Sequence, residues 1–176
     1  NAEAYELYLK GRYFLNWVAD AENLVRSVEY FQQAIARDPR YAVAHVGLAD
    51  SFRMLAWVHR IAIKENFEKS KAAATKALEI DGTVPEAHLS LALVLLSWDW
   101  DWAGTEQHFK RAVELNPNSA GIHGQYGNFL ARMGRVEEAR RELDRAFEIE
   151  PLVERIGIGG FAAFGYYMTR NLDKAE

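Results

Sequence analysis

The chain has no cysteine among its 176 residues. That excludes disulfides, thiolate metal sites and cysteine nucleophiles, and it fits a reducing compartment. Proline occurs only at Pro39, Pro85, Pro117 and Pro151. There is no excess of positive charge: 21 Lys and Arg stand against 25 Asp and Glu, a net charge of −4. A phosphate backbone needs a concentrated basic patch, so no nucleic-acid partner is expected through this segment. The longest apolar run, Leu89 to Trp98, is shorter than the roughly 20 residues a membrane helix needs, so no membrane partner is expected either. The start, NAEAYELYLK, has no initiator methionine and no apolar core of a signal peptide. The end, NLDKAE, stops inside a helical pattern, and both ends read as cuts in a longer protein. No serine–histidine–aspartate pattern, phosphate loop or basic–aromatic strip is present, so no catalytic role, cofactor or metal is expected.

What is present is repetition. FQQAIARDP (31–39), ATKALEIDG (74–82), FKRAVELNP (109–117) and LDRAFEIEP (143–151) each carry alanine at the fourth place. Those alanines, Ala34, Ala77, Ala112 and Ala146, are spaced 43, 35 and 34 residues apart. A period near 34 with helical patterning marks stacked helix pairs. With 49 % apolar residues there is ample surface to bury.

The helices follow in order. Leu7, Gly11 and Phe14 share one face over residues 4–16, and Leu24, Val28, Phe31 and Ile35 share another over 23–37. Asp38 and Pro39 stop the second helix. Leu48, Phe52 and Leu55 stripe the next, and WVHRIAIKEN then takes up most of the excess over 34, as a lengthened helix or an ordered loop. Helix signals resume from Phe67 to Ile80, with Gly82 as a left-handed cap. Thr83 to Glu86 reads as a capping box with proline in the first turn of a helix running to about Leu96. Asp101 and Ser119 each open a helix, and Gly134 ends one. A last helix is expected over 155–168, and its partner begins at Asn171.

These positions resemble the tetratricopeptide repeat. Its mid-helix small residue corresponds to Gly11, Ala49, Ala92, Gly127 and Ala163, and the large residue three places on to Phe14, Phe52, Leu95, Leu130 and Tyr166. The small residue of the second helix corresponds to Ser27, Ser70, Thr105, Ala139 and Ala175. The sequence departs from the pattern at Gly82, where proline is usual, and in its long second unit. The resemblance implies an all-α, right-handed solenoid of antiparallel helix pairs, with units at about 4–39, 42–82, 85–117, 120–151 and a truncated fifth at 156–176. AYELYLKGRYFLN together with WDWAGTEQHFKRAVELNPN is similar to arrays on the C-terminal side of bacterial signalling proteins, beside a winged-helix domain, a nucleotide cyclase or a kinase.

Three further constellations stand out. Trp98, Trp100 and Trp102 alternate with aspartates. They read as an aromatic–acidic cage or, more simply, as Trp98 and Trp102 plugging a helix joint while the aspartates cap and face solvent. His45, His88 and His123 recur at one repeat position, which suits packing better than a metal, because helices about 10 Å apart keep such ligands from converging. The stretch 157–162, GIGGFA, resembles a dinucleotide loop but sits in helix register.

The family is read on its concave face, from the second, fifth, ninth and twelfth places of each first helix. Carried over, these are Tyr5, Tyr8, Arg12 and Leu15, then Val43, Val46, Asp50 and Arg53, then Glu86, Leu89, Leu93 and Leu96. Gly121, Gly124, Asn128 and Ala131 follow, and then Gly157, Gly160, Phe164 and Tyr167. The apolar middle suits an amphipathic helix or apolar segment. The lysine–asparagine clamp that some members use for terminal carboxylates is absent. The expected function is a non-catalytic scaffold for a protein or peptide, in the cytoplasm or on a membrane-attached parent. The alternative is self-association of that parent into a homo-oligomer.

Overall fold

The structure is a computed structural model that describes residues 1–16 and 20–151. The expected last helix, the glycine run at 157–162 and the site residues Gly157, Gly160, Phe164 and Tyr167 lie outside the described residues. Eight α-helices and one π-turn form the described residues, with no strand among them. They fall into two compact units, Asn1–His108 and Phe109–Glu176. The helices are α1 (Ala2–Leu15), α2 (Ala21–Arg37), α3 (Ala42–Trp57), α4 (Ile63–Ile80), α5 (Pro85–Val94), α6 (Trp102–Leu115), α7 (Ala120–Arg132) and α8 (Val136–Ile149).

In the first unit, side-chain pairs fix the helix directions. At one end of α1 and α2, Glu3 pairs with Arg37 at 2.9 Å, and toward the other end Phe14 stacks on Tyr30, so the two run antiparallel. Along α3 and α4, Val46 clusters with Ala77, Ala49 with Ala74, and Ala56 with Phe67, again antiparallel. Along α3 and α5 the register is parallel: Val46 meets Ala87, Ala49 meets Leu91, and Ala56 meets Val94. First helices α1, α3 and α5 therefore lie side by side, with α1 also touching α3.

The repeat alanines sit where this packing is tightest. Ala34, Ala77, Ala112 and Ala146 are fully buried, as are Ala49, Ala92 and Ala139. A larger side chain at such crossings would push the helix axes apart. The Phe31 ring fills the space left open by two glycines: a Cβ on Gly11 would lie 2.7 Å from it, and one on Gly47 would overlap it. Full burial of that ring stabilises the unit by roughly 1.5–3 kcal/mol. Where the second-helix small position is serine, the hydroxyl is bonded. Ser27 Oγ donates to the Leu24 carbonyl and lies 2.7 Å from Ser51 Oγ, and Ser70 Oγ donates to the Ala49 carbonyl at 2.7 Å. The equivalent Thr105 hydroxyl is buried without a partner among the described residues.

In the second unit α7 and α8 are antiparallel: His123 meets Glu142, and Ala120 packs with Ala146. Phe109, Tyr126 and Phe129 form an aromatic cluster with ring centroids 5.5–6.4 Å apart. Ser119 caps α7 by accepting from the Ile122 amide, and Gly134 leaves the helix at φ +73°.

Several local expectations fail for identifiable reasons. Gly82 does not take a left-handed cap; Asp81 ends α4 in extended conformation. The capping box does not form, because Thr83 donates its hydroxyl to Asp81 Oδ1 at 2.6 Å and Val84 becomes the N-cap of α5. For the stretch after α3, the ordered loop is the alternative found, over 58–62, but α4 starts at Ile63, one turn before the expected Phe67. Arg60 and Ala62 in that loop adopt positive φ. Helix α5 passes at Val94 into a π-turn, Leu95–Asp99, which ends on Trp100 at φ +57°.

Candidate functional site

The site residues expected on α1, α3 and α5 fall on the three adjacent first helices of the first unit. Tyr5 and Arg12 are exposed, and Tyr8 is half-buried, stacked on Tyr5 and edge-on to Tyr41. Val43, Asp50, Arg53, Leu89 and Leu96 keep part of their surface, and Glu86 is exposed. Val46 at 3 % and Leu93 at 8 % exposure are core residues, and Leu15 is also buried. Ser90 Oγ donates to Asp50 Oδ1 at 2.8 Å, tying α5 to α3, and Arg53 reaches the same oxygen at 3.7 Å. In the second unit, Gly121 is half-buried, and Gly124, Asn128 and Ala131 are buried. The Asn128 amide has no hydrogen-bond partner among the described residues on either atom.

A family model described as tetratricopeptide repeat matches residues 101–156. The fold is that of solved tetratricopeptide proteins. A thermophilic member from Thermus thermophilus superposes with TM-score 0.67 at 21 % identity, over 84 % of this chain and 79 % of that one. YrrB, described as having an unusual peptide-binding site, gives TM-score 0.55 at 24 % identity, over 92 % of this chain and 77 % of that one. Residues 101–156 thus carry the tetratricopeptide repeat (TPR) pattern, and the chain has the fold of TPR proteins. Among curated proteins it is 27 % identical over 152 residues to the transcriptional regulator HilA of Salmonella typhimurium, covering 86 % of this chain but 27 % of HilA. It is 32 % identical over 78 residues to the type IV pilus assembly protein PilF of Pseudomonas aeruginosa, covering 44 % of this chain and 31 % of PilF. The chain thus spans under a third of the length of these relatives.

The recurring histidines have a shared structural task. Nε2 of His45, His88 and His123 lies 3.1–3.2 Å from the carbonyl of Pro39, Gly82 and Pro117, six residues earlier. Each ring thereby closes the turn that follows a nonapeptide. A carbonyl only accepts, so Nε2 carries the proton in all three. The Nδ1 atoms of two of them then differ in what they meet. His88 Nδ1 faces His108 Nδ1 at 2.9 Å, and His123 Nδ1 faces Glu142 Oε2 at 2.6 Å.

These two pairs respond to pH with opposite sign. Burial, and then the neighbouring His88, push the His108 pKa down. The hydrogen bond to Glu142 outweighs burial and pushes the His123 pKa up. The His108 pair therefore contributes stability above the unfolded value of 6.5, lost as pH falls through the lowered folded value. The His123 pair contributes stability below 6.5, lost as pH rises through the raised folded value. Glu142→Gln should remove the second contribution: the melting temperature falls at pH 6 and is unchanged well above the folded His123 pKa. Equal losses at both pH values would show that Glu142 acts by packing alone.

Two features were not read from the sequence. A cleft of about 360 Å³ lies between α2, α3 and α4, lined by Gln32, Ile35, Leu48 and Phe52 among others, with the Lys69 ammonium 5.5 Å from the Phe52 ring centre. The second is an exposed apolar edge. Trp57, Val58 and Ile61 from the α3–α4 connection and Trp100 and Trp102 beyond the π-turn are all exposed, Trp100 at 67 %. The π-turn is tied to α4 by the Phe67–Trp98 stack and by the Lys71–Asp99 ion pair at 2.7 Å. Trp98 thus plugs the joint, whereas Trp102 stands half open, edge-on to Trp100. Asp101 caps α6 by accepting from the Gly104 amide at 2.9 Å. Every positive-φ residue other than glycine among the described residues, Arg60, Ala62 and Trp100, lies on this edge.

Proposed function

We propose that this TPR array is a non-catalytic scaffold that holds a peptide or protein segment along the face formed by α1, α3 and α5, as the sensing or assembly arm of a larger bacterial signalling protein. The observation that carries the reading is the side-by-side placement of those helices, α3 and α5 in parallel, with Tyr5, Tyr8, Val43, Leu89 and Leu96 keeping surface beside Arg12, Asp50, Arg53 and Glu86. Apolar stripes rimmed by charge suit an amphipathic helix. The likeness to a peptide-binding TPR protein and to part of a transcriptional regulator supports both halves of the reading. Among the described residues no helix is long and apolar enough to cross a membrane and no group of three metal-ligating side chains converges. The reading places the array in the cytoplasm, on a parent that is soluble or membrane-attached.

The test is binding to an array of short amphipathic peptides. Leu89→Glu and Tyr8→Ala should each weaken binding at least tenfold without changing helicity. Leu93→Glu is unsuitable, because a charge at a core position unfolds the unit. Unaltered binding by both variants would move the site off this face. The second reading, self-association of the parent, is favoured by the exposed Trp100–Trp102 pair and by exposed Trp57, since large exposed apolar side chains grouped on a surface mark interaction sites. Light scattering that finds a dimer, dissociated by Trp100→Asp, would select it.

A further inference from the structure

Arg53 carries a charge that its surroundings only half answer. Its side chain is 15 % exposed, and its Nε is buried with no hydrogen-bond partner among the described residues. Its ion-pair partner, Asp50 Oδ1, lies 3.7 Å from Nη2, well beyond the roughly 2.7–2.9 Å of a charge-assisted bond. That same oxygen already accepts from Ser90 Oγ at 2.8 Å. Some exposed pairs of the first unit are closer, Lys69–Glu65 at 2.6 Å and Lys71–Asp99 at 2.7 Å, while Lys64–Glu68, fully at the surface, is as loose at 3.9 Å. A loosely paired guanidinium thus sits at a largely buried position, where an unmet charge costs most. Burial pushes the Arg53 pKa down, with Asp50 opposing it, yet a guanidinium stays protonated in proteins.

We propose that Arg53 receives an aspartate or glutamate side chain from the bound segment, so that this TPR face selects an acidic residue flanked by apolar ones. The inference rests on the groove reading above and names the chemistry of its ligand. A guanidinium presents its donors as a fork and can serve two carboxylates on different edges. Asp50 meets one edge only at 3.7 Å, through an oxygen it shares with Ser90. Half-exposed Val43 on α3, Leu89 on α5 and Leu96 in the π-turn supply the apolar flanks. Asp50 is also a competitor: its charge repels an incoming carboxylate, so the selectivity should be real but moderate, about tenfold, or about 1.4 kcal/mol.

The test uses the whole chain and paired amphipathic peptides with amidated C-termini that differ only in Glu against Gln at one central place. Amidation removes the terminal carboxylate as an alternative anion. The wild type should prefer the Glu member about tenfold, less so at high salt. Arg53→Gln should bind both members equally, at the affinity the wild type shows for Gln. Asp50→Asn keeps an acceptor for Ser90 and removes the competing charge, so it should raise the preference several-fold. A purely structural Arg53–Asp50 pair predicts the opposite, with Asp50→Asn weakening every peptide. Should Arg53→Gln unfold, Asp50→Asn and Arg53→Lys carry the test, the latter keeping the charge without the fork. Peptide binding with no Glu preference in the wild type overturns this inference and spares the groove. Absence of binding by every pair overturns both.

Discussion

Phe31→Ala is expected to cost about 3–5 kcal/mol, read by urea unfolding of the first unit. The ring is wholly buried and belongs to a cluster with Leu15, Leu24, Val28, Phe52 and Leu55. Its removal also leaves a void that cannot collapse easily, because both walls against the ring edge are helix backbone at Gly11 and Gly47. The distinguishing result is a coupling. In the wild type, Gly47→Ala places a methyl group into the Phe31 ring. Better helix propensity returns about 1 kcal/mol of that loss. With Phe31 already alanine, the new methyl enters the void instead, and Gly47→Ala becomes stabilising. The double variant should thus be more stable than Phe31→Ala alone, by about 1 kcal/mol or more. Additive losses would mean that the ring does not sit between the two glycines.

The same pair shows how far the sequence could be read. Phe31 was legible as core, because it falls on the stripe Leu24, Val28, Phe31 and Ile35. The small residues that recur with the period, such as Ala34, Ala49 and Ala77, were legible too, and all three are fully buried. Gly47 was not, since it lies off that register; its signal was the small pair Gly47 and Ser51 one turn apart on α3. Helix stops at Asp38 and Asn116 could be read because proline follows each. The left-handed residues Ala62 and Trp100 could not, because neither is a type that favours that backbone. The π-turn adds a residue without altering composition, and period counting absorbs it. At the candidate site, the positions were legible only through the repeat register. Which of them keep surface depends on neighbouring helices, so Val46 and Leu93 looked equivalent to Val43 and Leu89 until the packing was known. Arg53 looked like one more groove charge; its burial and its poor pairing are properties of the assembled helices.

Gly127→Leu should destabilise the second unit by about 2–3 kcal/mol, near the top of the usual range for overpacking. A Cβ at Gly127 would stand 2.8 Å from Leu143 Cγ and 3.2 Å from the Ala139 carbonyl oxygen. Leucine gains back about 1 kcal/mol in helix propensity, but the clash is larger and grows with each added carbon. The obstacle differs in kind from the one at Gly47. There it is the outer edge of a single ring, which a second substitution removes. Here one obstacle is the Leu143 branch point, close to the α8 backbone, and the other is backbone itself. Leu143→Ala relieves only the first and opens its own cavity, since Leu143 is fully buried. The pair Gly127→Leu and Leu143→Ala should therefore remain at least about 2 kcal/mol below wild type, with incomplete rescue. Full rescue in chemical unfolding would show that side-chain contact alone sets the α7–α8 approach, and that the Ala139 carbonyl can move aside.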